Sequence, residues 1–185
     1  IEAIGEVLIE AGFEAIEIPL NSPSPFDSIA MLARIAPESV WVGAGTVLTP
    51  EDVDRLHDAG GRLLVTPNVD PLVLARAAHH HMVSMPGVLT PTEALLAIKS
   101  GASALKFFPA SVLGPSGISA VKAILPRDCV VGAVGGVSET NFGDYVKIGV
   151  RTFGLGSSLY KAGFSAAEVK QRALVSVRAY DEAVK

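Results

Sequence analysis

Apolar residues along the chain fall into short unbroken runs separated by stretches of helical periodicity. The runs are rich in β-branched and small apolar residues, and seven of them are predicted to be strands: Ala15–Leu20, Val40–Ala44, Leu63–Thr66, Met82–Met85, Ala104–Phe108, Val130–Val134 and Thr152–Leu155. Because most runs are apolar throughout rather than alternating, we expect both faces of each strand to be covered, as in a parallel sheet.

The segments between these runs carry the start and stop signals of helices. Thr49 and Thr90 each place a capping hydroxyl before a proline at the first helical position. Ser138 is predicted to open a further helix, and glycines such as Gly12 and Gly101 end helices before the next strand. The chain therefore repeats a strand–helix unit of roughly 20–25 residues.

This alternation fits either an open doubly wound sheet or a (β/α)8 TIM barrel, and the residues at the strand ends favour the barrel. Polar or glycine-rich positions follow one strand after another, at Glu17, Thr46, Lys106 and Gly135-Gly136. In a barrel these ends converge on one face, whereas in an open sheet the outer ones lie far apart. We predict one barrel domain over residues 1–185.

The first strand of this barrel is expected to be missing from the chain. Only seven strands are identified, and the sequence begins with a helical pattern in which Ile1, Ile4 and Leu8 share a face. A closed barrel needs an eighth strand ahead of Ile1, and 185 residues is fewer than the about 250 typical of the fold.

Lys106 is the strongest candidate for chemistry, because it alone among seven lysines lies inside an apolar strand run. Burial disfavours the charged ammonium and lowers its pKa, and the neutral amine can attack a carbonyl carbon. Alternatively, Lys106 extends to solvent or pairs with a buried carboxylate. Glu17 is a similar lone charge, interpreted either as a general acid/base or as the structural partner of Lys106.

Two glycine-bearing turns late in the chain predict a phosphate site. Gly135 and Gly136 follow one strand, and Gly156 and Ser157 follow the next. Glycine lets backbone N–H groups approach an anion closely, and barrel enzymes often bind phosphate at the corresponding two loops. The alternative is that both segments are simple tight turns.

The composition limits which binding partners and which cellular compartment can be expected for this chain. The net charge of −4 gives no broad attraction to nucleic acid or to an anionic membrane. No apolar run reaches the about 18 residues of a membrane span, and no signal peptide is recognisable. The single cysteine, Cys129, suits a reducing compartment, so a cytoplasmic protein is expected. Cys129 and Trp41 are interpreted as core residues, and the run His79–His81 lacks metal-ligand spacing.

A set of ordered motifs resembles the class I aldolases that act on 2-dehydro-3-deoxy-6-phosphogluconate and 2-dehydro-3-deoxy-6-phosphogalactonate. The motifs are Glu17–Ser22, Gly43–Val47, Val65–Asn68, Met85–Gly87, Ala104–Pro109, Ala133–Val137 and Gly154–Ser157. The resemblance runs from about Ala11 to the carboxyl terminus. It implies a (β/α)8 barrel, usually a homotrimer, that works without a cofactor or a metal ion.

The resemblance also implies roles for individual residues. Lys106 matches the Schiff-base lysine and Glu17 the acid/base. The implied substrate-binding residues are Thr46 at the pyruvate end, Pro67 and Val134, and the phosphate-binding Gly135, Gly136, Gly156 and Ser157. The family's first strand ends in a substrate-binding arginine, and this chain has no such segment.

The implied reaction splits a phosphorylated keto-deoxy sugar acid into pyruvate and glyceraldehyde 3-phosphate. Asn21 and Val134 stand where the gluconate enzymes typically carry arginine and threonine, which favours the galactonate branch, with the gluconate branch as the alternative. Two further hypotheses are another phosphosugar barrel enzyme that uses carboxylates or a metal, and a non-catalytic phosphosugar-binding barrel. The position of Lys106 within its strand argues against the first of these.

Overall fold

Helices and parallel strands alternate through the whole computed structural model, which describes all residues from Ile1 to Lys185. The seven strands are β1 (Ala15–Pro19), β2 (Trp41–Gly45), β3 (Leu63–Thr66), β4 (Val83–Val88), β5 (Leu105–Phe107), β6 (Val131–Val134) and β7 (Thr152–Gly154). The eight helices are α1 (Glu2–Ala11), α2 (Pro25–Ile35), α3 (Pro50–Asp58), α4 (Pro71–His79), α5 (Pro91–Lys99), α6 (Ala110–Lys122), α7 (Phe142–Lys147) and α8 (Ala166–Ala183).

The strands form a single parallel sheet in the order β1 to β7, with each strand paired to the next along the chain. β1 and β7 are not paired with each other, so the curled sheet has a gap at that place. The layer of helices is continuous there, because α1 packs against α8. The prediction of a (β/α)8 barrel that lacks one strand is therefore confirmed.

Side-chain caps start the helices at two of the predicted places. Thr49 Oγ1 accepts a hydrogen bond from Asp52 N at 3.1 Å at the start of α3. Thr90 and Glu93 form a reciprocal capping box at the start of α5, with bonds of 3.3 and 2.8 Å. Each of these three bonds satisfies a backbone N–H group that has no partner within the helix.

The prediction that Ser138 opens a helix is wrong, because α7 begins at Phe142. Ser138 N donates to Asn141 Oδ1 at 3.0 Å, and Thr140 N donates to Ser138 Oγ at 3.4 Å. Short polar side chains that bond to nearby backbone groups favour a turn over a helix, and here they delay the helix by one turn.

The apolar core lies between the sheet and the helices. Strand residues such as Ala44, Leu64, Leu105 and Phe107 belong to it together with helix residues such as Ile118. Successive residues of a strand point to opposite faces, so the neighbours of these core residues line the inside of the barrel. The interior of the barrel is consequently a separate space, with its own set of residues.

Trp41, Cys129 and the histidine run were also singled out in the sequence. Trp41 and Cys129 are not core residues: Trp41 is 40% exposed at the start of β2, and Cys129 is half-buried ahead of β6. His80 pairs with Asp54 at 2.7 Å and stacks on the ring of His57. None of the helices combines the length and the apolarity that crossing a bilayer requires.

Candidate active site

Lys106 and Glu17 both occupy the inner face of the sheet. Lys106 stands between Leu105 and Phe107, which pack into the outer core, so its side chain points inward. Its register partners on β4 and β6 are Gly87 and Gly132. Glu17 likewise has a glycine, Gly43, as its partner on β2. Each of the two charged side chains is thus flanked across the sheet by residues without a side chain.

Three of the inner glycines are required by the atoms that lie against them, and at Gly45 those atoms belong to Glu17. A Cβ atom at Gly45 would overlap the carboxylate of Glu17, and one at Gly43 would overlap the backbone of β3. At Gly132 a Cβ atom would overlap side chains of β4 and β7. None of the three has a positive φ, so space inside the barrel, rather than an unusual backbone conformation, requires glycine there.

The amine of Lys106 lies in a largely desolvated position. The residue is only 6% exposed, and Nζ lies 4.9 Å from the ring centroid of Phe108. Burial lowers the pKa of Lys106, and the negative charge of Glu17 opposes this shift only in part. A larger fraction of the amine is therefore neutral, and nucleophilic, than on a surface lysine.

The carboxyl group of Glu17 is surrounded by protein but still reached by solvent. Glu17 as a whole is exposed on β1. Burial nevertheless raises the pKa of Glu17, with the positive charge of Lys106 acting in the opposite direction. The two side chains form no ion pair with each other. Both groups are therefore shifted towards their neutral forms, and both remain free to exchange protons.

Thr46, Pro67 and Val134 lie at the carboxyl ends of β2, β3 and β6, as expected from the sequence. Thr46 adopts a φ of 58°, a conformation that β-branched residues rarely take and that often marks a functional position. The carbonyl oxygen of Pro67 lies against Gly87. Val134 covers the inner side of β7, because a Cβ at Gly154 would come within 2.5 Å of Val134 Cγ2.

The two predicted phosphate-binding turns are adjacent, since they follow the paired strands β6 and β7. Gly135 and Gly136 have φ angles of 87° and 78°, and their backbone N–H groups donate to no protein acceptor. Gly156 and Ser157 also have free N–H groups, at the start of a turn that Leu159 N closes on Gly156 O at 2.9 Å. Four unpaired donors at the mouth of a barrel suit a phosphate group.

The sequence did not predict the residues that hold the Gly135-Gly136 turn in place. Asn141 Nδ2 donates to Gly136 O at 3.0 Å, and Ser111 N donates to Gly135 O at 3.0 Å. Ser111 also packs so closely that a Cβ atom added at Gly136 would lie 2.5 Å from the Cβ atom of Ser111. Ser111 comes from the distant start of α6, and Asn141 lies five residues after Gly136 in the same loop. By contrast, the two-residue spacing of Gly43 and Gly45 puts both on the same face of β2. This is the face of Glu17, because Gly43 pairs with Glu17 on β1.

The arrangement combines a buried amine, a carboxyl group of raised pKa and a cluster of free N–H donors at one end of the barrel. The amine can add to a carbonyl carbon, the carboxyl group can move protons, and the donors can hold a phosphate on the same molecule. No group of three or more His, Cys, Asp and Glu side chains gathers at a distance suited to a metal ion.

Comparison with known proteins agrees with this geometry. The family profile of the KDPG and KHG aldolases matches residues 1–174. A probable 2-dehydro-3-deoxy-6-phosphogalactonate aldolase of Rhizobium meliloti is 62% identical over 97% of this chain and 85% of its own length. The 2-dehydro-3-deoxy-6-phosphogalactonate aldolase of Escherichia coli is 47% identical over 99% of this chain and 90% of its own. A solved structure described as native KDPGal superposes with a TM-score of 0.96 at 47% identity, covering 98% and 88% of the two chains.

The raised pKa of Glu17 predicts how stability depends on pH. A carboxyl group whose pKa exceeds its ordinary value of 4.5 in the folded state destabilises that state progressively as the pH rises above this value. Glu17→Gln removes this penalty, so its melting temperature relative to wild type should increase from pH 4 to about pH 8. Glu14→Gln, which changes an exposed carboxylate just ahead of β1, is the control and should show no such trend. A relative melting temperature that falls with pH would mean that Glu17 acts as a structural charge partner.

Proposed function

Because the chain belongs to the family of KDPG and KHG aldolases, we propose that it is a class I aldolase with Lys106 as its Schiff-base residue. Its proposed substrate is 2-dehydro-3-deoxy-6-phosphogalactonate, and its proposed products are pyruvate and glyceraldehyde 3-phosphate. The observation that carries the proposal is the buried amine of Lys106, whose pKa burial lowers, on the same inner face of the sheet as Glu17. A lysine that only bound an anion would gain from keeping its charge, which disfavours the non-catalytic alternative.

Lys106 begins the proposed reaction by attacking the C2 ketone of the substrate. The resulting carbinolamine loses water and becomes a protonated imine, in which the cationic nitrogen withdraws electrons from the C3–C4 bond. This nitrogen takes the role that a metal ion has in other aldolases, so neither a metal nor an organic cofactor is required. After cleavage the electron pair of the broken bond is held as an enamine on the pyruvate fragment.

Glu17 is proposed to move the protons. As a carboxylate it removes the proton of the C4 hydroxyl, directly or through a water molecule, and the C3–C4 bond breaks as the C4 aldehyde forms. Protonation of the enamine and hydrolysis of the imine then release pyruvate and return Lys106 to its free form. A raised pKa suits this cycle, because a group that titrates nearer neutrality both accepts and returns a proton readily.

The remaining predicted residues are proposed to hold the substrate. Thr46 and Pro67, which follow β2 and β3, are proposed to line the pyruvate end. The free N–H groups of Gly135, Gly136, Gly156 and Ser157 are proposed to bind the phosphate.

Val134 is proposed to contact the middle of the substrate, near C4. Its position between Lys106 on β5 and the turn after β7 is consistent with this role. An apolar side chain there offers no hydrogen bond to a C4 hydroxyl. The names of the two curated relatives support the galactonate epimer, with the gluconate epimer as the alternative substrate.

We also propose that the chain forms a homotrimer and works in the cytoplasm. Large apolar side chains are strongly exposed in the first turns of two helices on the carboxyl-end side of the barrel, Leu72 of α4 at 70% and Val112 of α6 at 68%. Side chains of this kind often contribute to contacts between subunits. A net charge of −4 and a single free cysteine are compatible with a reducing, aqueous compartment.

Borohydride trapping tests the proposed Schiff base. Sodium borohydride added together with pyruvate should reduce the imine and leave a stable pyruvyl-derived adduct on Lys106, located by mass mapping of peptides. Lys106→Met, which keeps a long apolar side chain but no amine, should take up no adduct, whereas Lys99→Met should be labelled like wild type. An adduct on any other lysine, or none at all, would refute the Schiff-base mechanism.

Gly45→Ala tests whether Glu17 depends on its glycine neighbour. The new methyl group occupies the place of the carboxylate and displaces it, so the single-turnover rate of cleavage should fall by about 10²-fold, as misplaced catalytic groups typically cost. Overpacking of this kind costs about 1–3 kcal/mol of folding free energy. Glu17→Gln removes the base itself and should lower the same rate by about 10²–10⁴-fold, so it is the reference with which the Gly45→Ala loss is compared.

Two controls separate displacement of Glu17 from general damage. Gly143→Ala adds a methyl group where no atom lies within 4 Å and should leave turnover unchanged. In a Glu17→Ala background, Gly45→Ala should cause no further loss, because the methyl group then enters vacated space. A full additional loss in that background would mean that Gly45 acts independently of Glu17.

Light scattering tests the proposed assembly. The full chain should elute with a mass of three times 19.2 kDa. Leu72→Glu should shift the population towards smaller species, because it places a charge in the proposed contact, while Val184→Glu at the carboxyl terminus should not. A wild-type mass of one or two chains would contradict the trimer.

A further inference from the structure

A cavity lies at the amino-terminal ends of β6 and β7, and Lys106 and Glu17 are not among its lining residues. It has a volume of about 390 Å³ and is enclosed by the starts of β6 and β7 and by the ends of α6 and α7. Its chemistry is set by six of its lining residues: Lys122, Arg127, Cys129, Val131, Gly149 and Arg151. Small-molecule sites generally measure about 300–1,000 Å³, so the cavity has room for more than a single ion.

The cavity contains three cationic side chains and no acidic one. Lys122, Arg127 and Arg151 form no ion pair with any carboxylate. The nearby Asp128 precedes Cys129 in sequence but does not line the cavity. The positive charge of Arg151 adds to burial in lowering the pKa of Lys122, which shows that the two cations are close enough to repel each other. A bound anion would relieve this repulsion.

Part of this charge has a structural role, because it caps the carboxyl end of α7. Lys122 Nζ donates to Ile148 O at 2.7 Å, and one terminal nitrogen of Arg151 donates to Val146 O and Val150 O, each at 2.9 Å. These bonds leave two N–H groups of Lys122 and three of Arg151 without a protein acceptor. Arg127 makes no hydrogen bond or ion pair with its side chain. Capping thus accounts for only some of the available donors.

We propose that this cavity binds a small metabolite carrying a dianionic phosphate group, at a site distinct from the proposed substrate site. Two arginine forks and an ammonium group match the geometry and charge of a phosphate. The apolar wall that Val131 contributes leaves space for the carbon skeleton of the ligand. The cavity also touches the starts of β6 and β7, the two strands whose other ends carry the glycine turns.

Cys129 supplies a local reporter for the test, since it lines the cavity and is the single cysteine of the chain. The probes are inorganic phosphate and 3-phosphoglycerate, each compared with sodium chloride at equal ionic strength. A dianion beside the thiol disfavours the reactive thiolate. Modification of Cys129 by N-ethylmaleimide should therefore slow with probe concentration and level off about 3-fold below the starting rate, an upward pKa shift of about half a unit.

Substitutions in the cavity assign the effect to this site. Arg151→Gln and Arg127→Gln should abolish the saturable slowing, and Arg127→Gln does so without removing any hydrogen bond that holds the fold. Arg178→Gln, an exposed arginine on α8, should behave like wild type, and turnover without added anion should be unchanged in all three. Saturation that persists in both cavity variants would place the anion elsewhere, including at the glycine turns. A slowing that chloride reproduces, or that only carboxylates such as citrate cause, would also overturn the proposal.

Discussion

Burial of the Lys106 amine inside the barrel is the constraint on which the rest of the proposed site depends. The barrel wall removes water from the amine and lowers its pKa, but the reaction also needs room for a substrate beside it. The register partners of Lys106 on β4 and β6 are glycines, so neither neighbouring strand places a side chain directly beside it. The space at Gly132 is already taken by side chains of β4 and β7, so no larger residue fits there.

The two faces of each strand have different roles in the protein. Residues that face the helices, among them Leu105 and Phe107, are fully buried and fix the position of the strand. The residue between them, Lys106, is therefore held by packing on both sides and needs no ion pair to keep its place. Stability comes from the outer layer, so the inner layer is free to carry unfavourable features such as a desolvated amine.

Much of this organisation could be predicted from the sequence, because strand runs, helix caps and lone charges in apolar runs are local signals. The seven strands follow from them, and so does the choice of Lys106 and Glu17 as candidate site residues. The start of α7 could not be predicted, since competition between Ser138 and Asn141 for backbone groups is settled only by the folded turn. Ser111 was missed for a related reason. It meets the glycine turn only after α6 has packed beside β6, and such proximity leaves no pattern in the sequence.

Glu17 shows why position within the sheet matters as much as residue type. Protein atoms around the carboxyl group raise the pKa of Glu17, and yet the residue remains exposed to solvent. Lys106, on a central strand, is enclosed on both sides and keeps little exposure. A base that works through water needs contact with water, whereas an amine that must be neutral needs protection from it. The role proposed for each of the two residues therefore suits its own solvent exposure, which is high for Glu17 and low for Lys106.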